Sequence, residues 1–175
     1  MNVNSFDYSL NFEEVNFRIH PELYRIGKGE QGVLLVEPYK SEILPYWRFR
    51  TFALAKKSAV KIYSLFERYL KKKDFVGADL ARKYLQMGFT RARRYANHKS
   101  GKKFEKGDQN NSAGLKYPYS SGSRSKGNKI IAQESDALTS EKAKAATIFK
   151  HYWFLAKNNP VYQEQKAAFK KKFYL

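Results

Sequence analysis

The chain has 175 residues, with 34 Lys and Arg side chains against 16 Asp and Glu, and a formal net charge of +18 at pH 7. Apolar residues make up 42 % of the sequence and aromatic residues 16 %, a composition that excludes a disordered basic tail and indicates a folded domain. A charge surplus of this size favours a polyanionic partner, and the absence of cysteine excludes disulfides and thiolate metal sites.

Neither a secretory leader nor a membrane span is visible in the sequence. The first fifteen residues contain no basic segment followed by an apolar one, and the longest aliphatic run, Val33–Val36, is too short to cross a bilayer. We therefore expect a cytoplasmic protein without a transmembrane segment.

The basic residues are concentrated in the middle and at the C-terminal end of the chain. Residues 51–106 hold 16 basic and 4 acidic side chains, whereas residues 1–50 hold 6 and 7. We interpret residues 1–106 as an α+β core domain, mostly helical, with one basic helix. Residues 107–138, which are rich in Ser, Gly and Asn, are expected to form a flexible insertion or linker, and residues 139–175 a C-terminal helical segment that packs on the core.

A glycine-rich loop precedes the first regular element. Gly27–Gly32 reads GKGEQG, and the Val33–Val36 run that follows, closed by Pro38, is typical of a short strand. The sequence thus predicts a small β element near residues 24–38. The loop matches G-x-G-x-x-G, but a dinucleotide site needs a strand before these glycines and a helix after them, so we favour a structural turn over a nucleotide site.

Residues 39–50, YKSEILPYWRFR, interleave aromatic side chains with cations. Such a pattern can form a stacking platform for single-stranded bases. The alternative, which we favour, is that Trp47, Phe49 and their aliphatic neighbours close the hydrophobic core.

An antiparallel helix pair is predicted over residues 51–99. In residues 51–72 the apolar positions recur at spacings of three and four, which is the period of a helix with one buried face. Asp74 is a good N-cap for a second helix, and the short link between the two favours antiparallel pairing. Ile62 and Leu85 should both be buried in this pair.

The second helix of the pair carries a basic face. Arg82 and Arg93 are eleven residues apart, about three turns, so their side chains leave the helix in the same direction. No Asp or Glu occurs between Asp79 and Glu105, and we infer that the cations on this face lack local partners and are exposed. Because the face lies off the apolar stripe, replacing its arginines should leave folding intact. The candidate nucleic-acid-binding residues on and just beyond this face are Arg82, Lys83, Gln86, Arg91, Arg93, Arg94, Asn97, Lys99, Lys102 and Lys103.

Two long blocks carry a resemblance to a known family. GKGEQGVLLVEPYKSEILPYWRF and DFVGADLARKYLQMGFTRARRYANHKSG resemble a small family, found in bacteria, plants and phages, that is defined as a domain of unknown function. The likeness covers residues 6–104 and, weakly, residues 139–162, while residues 107–138 do not fit the family core. The resemblance implies no known activity, cofactor or catalytic residue.

The C-terminal segment predicts two further helices, over residues 139–157 and 160–172. Pro160 suits the first turn of the second of these helices. The run Lys170–Lys172 could contact phosphate or a membrane face. We favour instead a frayed, solvated tail.

The sequence offers little catalytic chemistry. His20, His98 and His151 lie in different segments without the spacing of metal ligands, so we predict no metal site, no cofactor and no catalytic set. The leading hypothesis is a nucleic-acid-binding protein, for DNA or RNA, that uses its basic helix face without sequence specificity. The alternatives are an interaction or structural accessory protein that docks an acidic protein partner, and an enzyme that acts on a phosphorylated or nucleic-acid substrate.

Overall fold

The computed structural model describes residues 4–105 and 128–175, and within them the fold is mostly helical. The helices are α1 (Tyr39–Ile43), α2 (Phe52–Lys71), α3 (Phe75–Asn97), α4 (Glu141–Lys157) and α5 (Pro160–Phe173). Short 3₁₀ turns occur at Pro21–Leu23, Leu44–Tyr46 and Lys99–Gly101.

Each of the four long helices begins at a side-chain cap. The side chains of Thr51, Asp74, Ser140 and Asn159 each accept a hydrogen bond from the backbone N–H three residues further on, at 3.1 to 3.2 Å. Such caps satisfy backbone donors that a helix leaves free at its N-terminus. The predicted helix pair and the two predicted C-terminal helices are confirmed, with ends that differ by no more than two residues.

The predicted β element near residues 24–38 is wrong. The Val33–Val36 run forms turns, in which the N–H groups of Leu35 and Val36 both donate to the carbonyl oxygen of Gly32, at 3.0 and 3.2 Å. Gly32 has a φ of 80°, which curls the chain back on itself before the aliphatic residues can extend. The α+β class therefore does not describe this fold, because the β pairing found in the described ranges is a single isolated bridge between Phe104 and Ile130.

Helix α3 is the central element of the fold. It packs against α2, α4 and α5, and residues 6–43 cover much of the remaining side. Gly88 allows the ring of Phe149 in α4 to lie directly on the α3 backbone, where a Cβ would overlap it. Phe75, in the first turn of α3, contacts the rings of Tyr162 and Phe169 in α5, with centroids 5.6 and 4.9 Å away. An amphipathic helix enclosed on all sides must also bury part of its polar face.

The C-terminal helices belong to the same hydrophobic core as the helices that precede them. Phe149 of α4 and Tyr162 of α5 are fully buried among residues of α2 and α3. Residues 107–127 of the predicted insertion lie outside the described residues. The part that follows contacts α3, since the N–H of Glu134 donates to the carbonyl oxygen of Asn97 at 2.7 Å.

None of the helices in the described ranges combines the length and the hydropathy that a bilayer-spanning helix requires.

Truncation of Leu85 tests this packing. Leu85 is fully buried in α3, so Leu85→Ala should lower the free energy of unfolding by about 2–5 kcal/mol, as measured by chemical denaturation. Leu155→Ala makes the same change at a position on α4 that is 43 % exposed, and its cost should stay below about 1 kcal/mol. Equal losses in the two variants would contradict the placement of α3 at the centre.

Candidate functional site

The polar face of α3 forms a buried charge cluster around Asp79. Asp79 is fully buried, and its Oδ1 accepts hydrogen bonds from Arg82 Nε at 2.8 Å and from the Tyr162 hydroxyl at 2.6 Å. Its Oδ2 accepts from the hydroxyl of Tyr24 and lies 3.8 Å from Lys83 Nζ. We call these five residues the Asp79 cluster.

The glycine-rich loop wraps around the ammonium group of Lys83. Lys83 Nζ donates to the backbone carbonyl oxygens of Ile26 and Gln31, at 2.5 and 2.6 Å, and lies 5.2 Å from the centroid of the Tyr24 ring. Ile26 immediately precedes Gly27–Gly32 and Gln31 is the penultimate residue of that segment, so both ends of the loop are held by a cation from α3. The carbonyl oxygens at the two ends of the loop thus face a positive charge within the protein.

The charges of the Asp79 cluster stabilise one another. Burial alone would raise the pKa of Asp79, but the positive charges of Arg82 and Lys83 and their contacts hold that pKa below its ordinary value. Burial lowers the pKa of Lys83, and the Asp79 carboxylate opposes this effect. Burial beside the carboxylate raises the pKa of Tyr24 and Tyr162, so both hydroxyls remain donors. The cluster is an internal ion network closed to solvent.

The prediction that Arg82 and Lys83 are exposed is therefore wrong. Arg82 is 9 % exposed and Lys83 is fully buried, so neither can reach a polynucleotide in this fold. The prediction assumed that these cations lack acidic partners because no Asp or Glu follows Asp79 before residue 105. Asp79 itself lies three and four residues before these cations, which places all three side chains on one helix face.

Three further candidates are half-buried and engaged in hydrogen bonds. Gln86 accepts from Arg82 Nη1 at 3.0 Å. Arg93 donates through Nε to the side-chain oxygen of Asn97 at 3.0 Å, and through its guanidinium to the backbone carbonyl oxygen of Ala137. These contacts attach the C-terminal half of α3 to the segment that leads into α4.

The remaining candidates leave positive charge at the C-terminal end of α3. Arg91 and Arg94 are half-buried near Glu30, whose carboxylate accepts a hydrogen bond from the hydroxyl of Thr90. Burial and the neighbouring charge of Arg91 lower the pKa of Arg94. Three lysines beyond the helix end are exposed, namely Lys99, Lys102 and Lys103.

A second charged surface, which the sequence did not predict, lies at the other end of the molecule. A groove of about 1230 Å³ opens between α2, α5 and residues 18–46, and we call it the cationic groove. Its charged lining comprises six cations, Arg18, Lys61, Arg68, Lys72, Lys73 and Lys172, and three acids, Glu42, Asp74 and Glu164.

Arg18 forms ion pairs with two of the three acids in the cationic groove. Its guanidinium lies 2.6 Å from Glu42 Oε2 and 3.3 Å from Asp74 Oδ2. The hydroxyls of Tyr39 and Tyr69 donate to the same carboxylates, at 2.6 Å to Asp74 and 2.9 Å to Glu42. The five other cations of the lining form no ion pair with a carboxylate in the described ranges. Glu164 is the remaining acid of the lining.

The sequence interpretation missed this groove because it explained the lysine runs one at a time. The run Lys71–Lys73 at the end of α2 suits the helix dipole, and Lys170–Lys172 was expected to form a frayed, solvated tail. The lysines of this run are exposed, but the expected fraying is wrong, because α5 is helical to Phe173 and the hydroxyl of Tyr174 accepts a hydrogen bond from the N–H of Ile26 at 2.9 Å. The recurrence of Lys-Lys-Lys at the C-terminal ends of two helices was the available signal.

The chain belongs to the family described as a domain of unknown function, DUF4385, whose model matches residues 7–172. The match spans both the segments that carried the resemblance and the intervening residues 107–138. No curated protein and no solved structure matches the chain. In the described ranges no three His, Asp or Glu side chains are grouped so that they could hold a metal ion.

Removing the charge of Asp79 tests the buried network. Asp79→Asn keeps the size of the side chain but leaves Arg82 and Lys83 without their buried counter-charge, so it should destabilise the protein by about 3–5 kcal/mol in chemical denaturation. Arg82→Gln should also destabilise, contrary to the prediction from sequence. Glu67→Gln, on the exposed face of α2, is the matched control and should change stability by less than about 0.5 kcal/mol. A loss below about 1 kcal/mol for Asp79→Asn would contradict the network.

The stability difference between wild type and Asp79→Asn should depend on pH. Because the pKa of Asp79 is lowered in the folded state, its ionisation contributes stability that is present above the unfolded-state pKa of about 4 and is lost as the pH falls below it. The difference should therefore narrow as the pH falls below about 4, a range in which Lys83, whose pKa burial lowers to about 7, is protonated in the wild type. Thermal or denaturant unfolding measures it, and a difference that widens below about pH 4 would reverse the assignment.

Proposed function

We propose that this protein binds nucleic acid, DNA or RNA, without reading its sequence, through the cations that the fold leaves exposed. The observation that carries the proposal is that most exposed Lys and Arg side chains in the described ranges have no ion-pair partner. Among exposed Lys and Arg side chains in the described ranges, Arg18 and Lys144 contact a carboxylate within 4.0 Å. The others do not, and they are Lys28, Arg48, Arg50, Lys56, Lys57, Arg68, Lys71, Lys72, Lys73, Lys99, Lys102, Lys103, Lys129, Lys150, Lys157, Lys170, Lys171 and Lys172.

The internal pairing of the Asp79 cluster strengthens this argument. Asp79 forms ion pairs with two buried cations, so its carboxylate does not offset positive charge at the surface. The cluster holds two cations and one acid, so it accounts for one unit of the net charge of +18, and the rest of the excess lies outside it. A surface of this kind attracts phosphate backbones at long range and releases their counter-ions on contact.

The engaged amides support binding without sequence readout. Base edges are read by side chains such as Asn and Gln that offer both a donor and an acceptor. Gln86 accepts from Arg82, and Asn97 accepts from Arg93, so the carbonyl oxygens of both candidate amides are occupied within the protein. The exposed candidates that remain, Lys99, Lys102 and Lys103, suit phosphate contacts, which position a protein on a strand and carry no sequence information.

The second candidate function is the docking of an acidic protein partner. The observation that favours it is the apolar floor of the cationic groove, which includes Val161 and Phe173. An acidic amphipathic segment could cover such a floor while its carboxylates meet the surrounding lysines.

Salt dependence of binding tests the proposed function. The full chain should bind a duplex and a single strand of any sequence, with log K falling by about 0.9 per unit of log salt for each duplex phosphate that is neutralised. The triple variant Lys99→Gln, Lys102→Gln, Lys103→Gln should bind all sequences more weakly and flatten that slope by about two to three units. Fluorescence anisotropy over a series of salt concentrations measures both quantities.

Lys144→Gln is the control for general loss of charge. Lys144 already pairs with Glu141 at 3.6 Å, so its removal should change the slope by less than about one unit. If the full chain binds neither DNA nor RNA at low salt but binds poly-glutamate, the acidic-partner function replaces this proposal.

A further inference from the structure

The geometry points to the cationic groove as the binding site for a single strand of nucleic acid, with phosphates against Arg68, Lys72, Lys73 and Lys172 and bases against Tyr46 and the apolar floor. This inference rests on the proposed function and adds to it a second contact surface, for single strands, apart from Lys99, Lys102 and Lys103. None of the residues involved was among the candidates identified on α3.

The groove combines two kinds of surface that a single strand requires. Its cations come from α2, from the α2–α3 link and from α5, so positive charge lines more than one side. Its apolar floor comprises the exposed Val161 and the half-buried Phe173, together with Leu65, Val76 and Phe169, which are 2 to 7 % exposed. Sequence-tolerant binding of single strands pairs a basic groove along the backbone with apolar or aromatic surfaces under the bases.

Tyr46 is placed to act as the stacking surface. Its side chain lines the groove and is 45 % exposed, and Lys61 Nζ lies 4.9 Å from the centroid of its ring. Tyr46 ends a 3₁₀ turn that contains Pro45 and is closed by a hydrogen bond from the N–H of Trp47 to the carbonyl oxygen of Leu44 at 3.0 Å. The backbone under the ring is therefore fixed before any ligand arrives, which lowers the entropic cost of stacking.

The chemistry of the groove selects a single strand over a duplex. A stacking ring and an apolar floor contact the faces of bases, and a duplex keeps those faces inside its own stack. Lys61 and Lys72 are eleven residues apart on or next to α2, a distance of about 16 Å along the helix axis. At about 3.4 Å per nucleotide of a stacked strand, this distance spans roughly five nucleotides.

Six cations outnumber the three acids in the lining of the groove, and two of these acids are engaged within the protein. Glu42 and Asp74 are paired with Arg18, and their remaining lone pairs accept from tyrosine hydroxyls. Glu164 is exposed and has no cation within 4.0 Å in the described ranges. It is thus the one carboxylate of the lining without an ion-pair partner in the described ranges, and its removal should strengthen binding.

The experiment compares groove variants of the full chain with matched variants outside the groove. The probes are a labelled 12-nucleotide oligo(dT), a 12-base-pair duplex and a 12-residue poly-glutamate peptide, all measured by anisotropy at low salt. Tyr46→Ala removes the stacking ring. Phe154→Ala is its control, because Phe154 is 38 % exposed on α4 and carries two lysine ammonium groups over its ring, but lies outside the groove.

Charge variants form the second arm of the experiment. Lys72→Gln with Lys172→Gln removes two groove cations from two helical elements, and Lys56→Gln with Lys57→Gln removes two exposed cations of α2 that do not line the groove. Glu164→Gln removes the opposing acid. All of these side chains are exposed, and the melting temperature of each variant confirms that it folds.

The inference predicts a specific pattern of affinities. Tyr46→Ala should weaken oligo(dT) binding roughly tenfold, as loss of one stacked base does, and should leave duplex binding within about twofold. Phe154→Ala should leave both unchanged. The groove double-lysine variant should weaken oligo(dT) binding more than the α2 control, and Glu164→Gln should strengthen it.

Three outcomes would overturn the inference and are distinguishable from one another. If nucleic acid binds but the groove variants match their controls, the groove is not the site and the proposed function stands. If groove variants affect poly-glutamate binding alone, the groove docks an acidic protein segment. If no nucleic acid binds at all, the proposed function fails together with this inference.

Discussion

The Asp79 carboxylate is the interaction on which the rest of this fold depends. Helix α3 lies at the centre of the molecule, and a central helix with an Asp, an Arg and a Lys on one face can be enclosed only if those charges satisfy one another. Tyr24 and Tyr162 bring the N-terminal segment and α5 onto this carboxylate, and Lys83 fastens the glycine-rich loop. A single buried ion network thus joins segments from both ends of the chain to the central helix.

The sequence was informative where local rules decide the structure and misleading where long-range contacts decide it. Caps such as Asp74 and the spacing of three and four in α2 depend on neighbouring residues, and the helices they predict are present. The burial of Lys83 depends on carbonyl groups more than fifty residues away, which no local pattern reveals. The Val33–Val36 run reads equally well as a strand or as a turn packed on a core, and the positive φ of Gly32 selects the turn.

The same distinction applies to charge. Counting cations located the basic regions of the chain but could not separate those that face inward from those that face outward. Arg82 and Lys83 balance a buried acid, whereas the lysine runs at the ends of α2 and α5 lie on the surface. These two helices are joined by a hydrogen bond from the side chain of Gln165 to the carbonyl oxygen of Leu70, at 3.0 Å. The cationic groove exists because helices distant in sequence meet there, and each lysine run alone has an ordinary explanation.

The two tyrosines on Asp79 have a consequence for how the chain folds during synthesis. Tyr24 and Tyr162 are 55 and 83 residues away from Asp79 in sequence, so the network closes only through contacts of long range. Such contacts slow folding, because loop entropy is lost before the interaction is gained. A nascent chain that has emerged as far as α3 therefore holds a half-satisfied acid and two cations, and the native core can close only after α5 has left the ribosome.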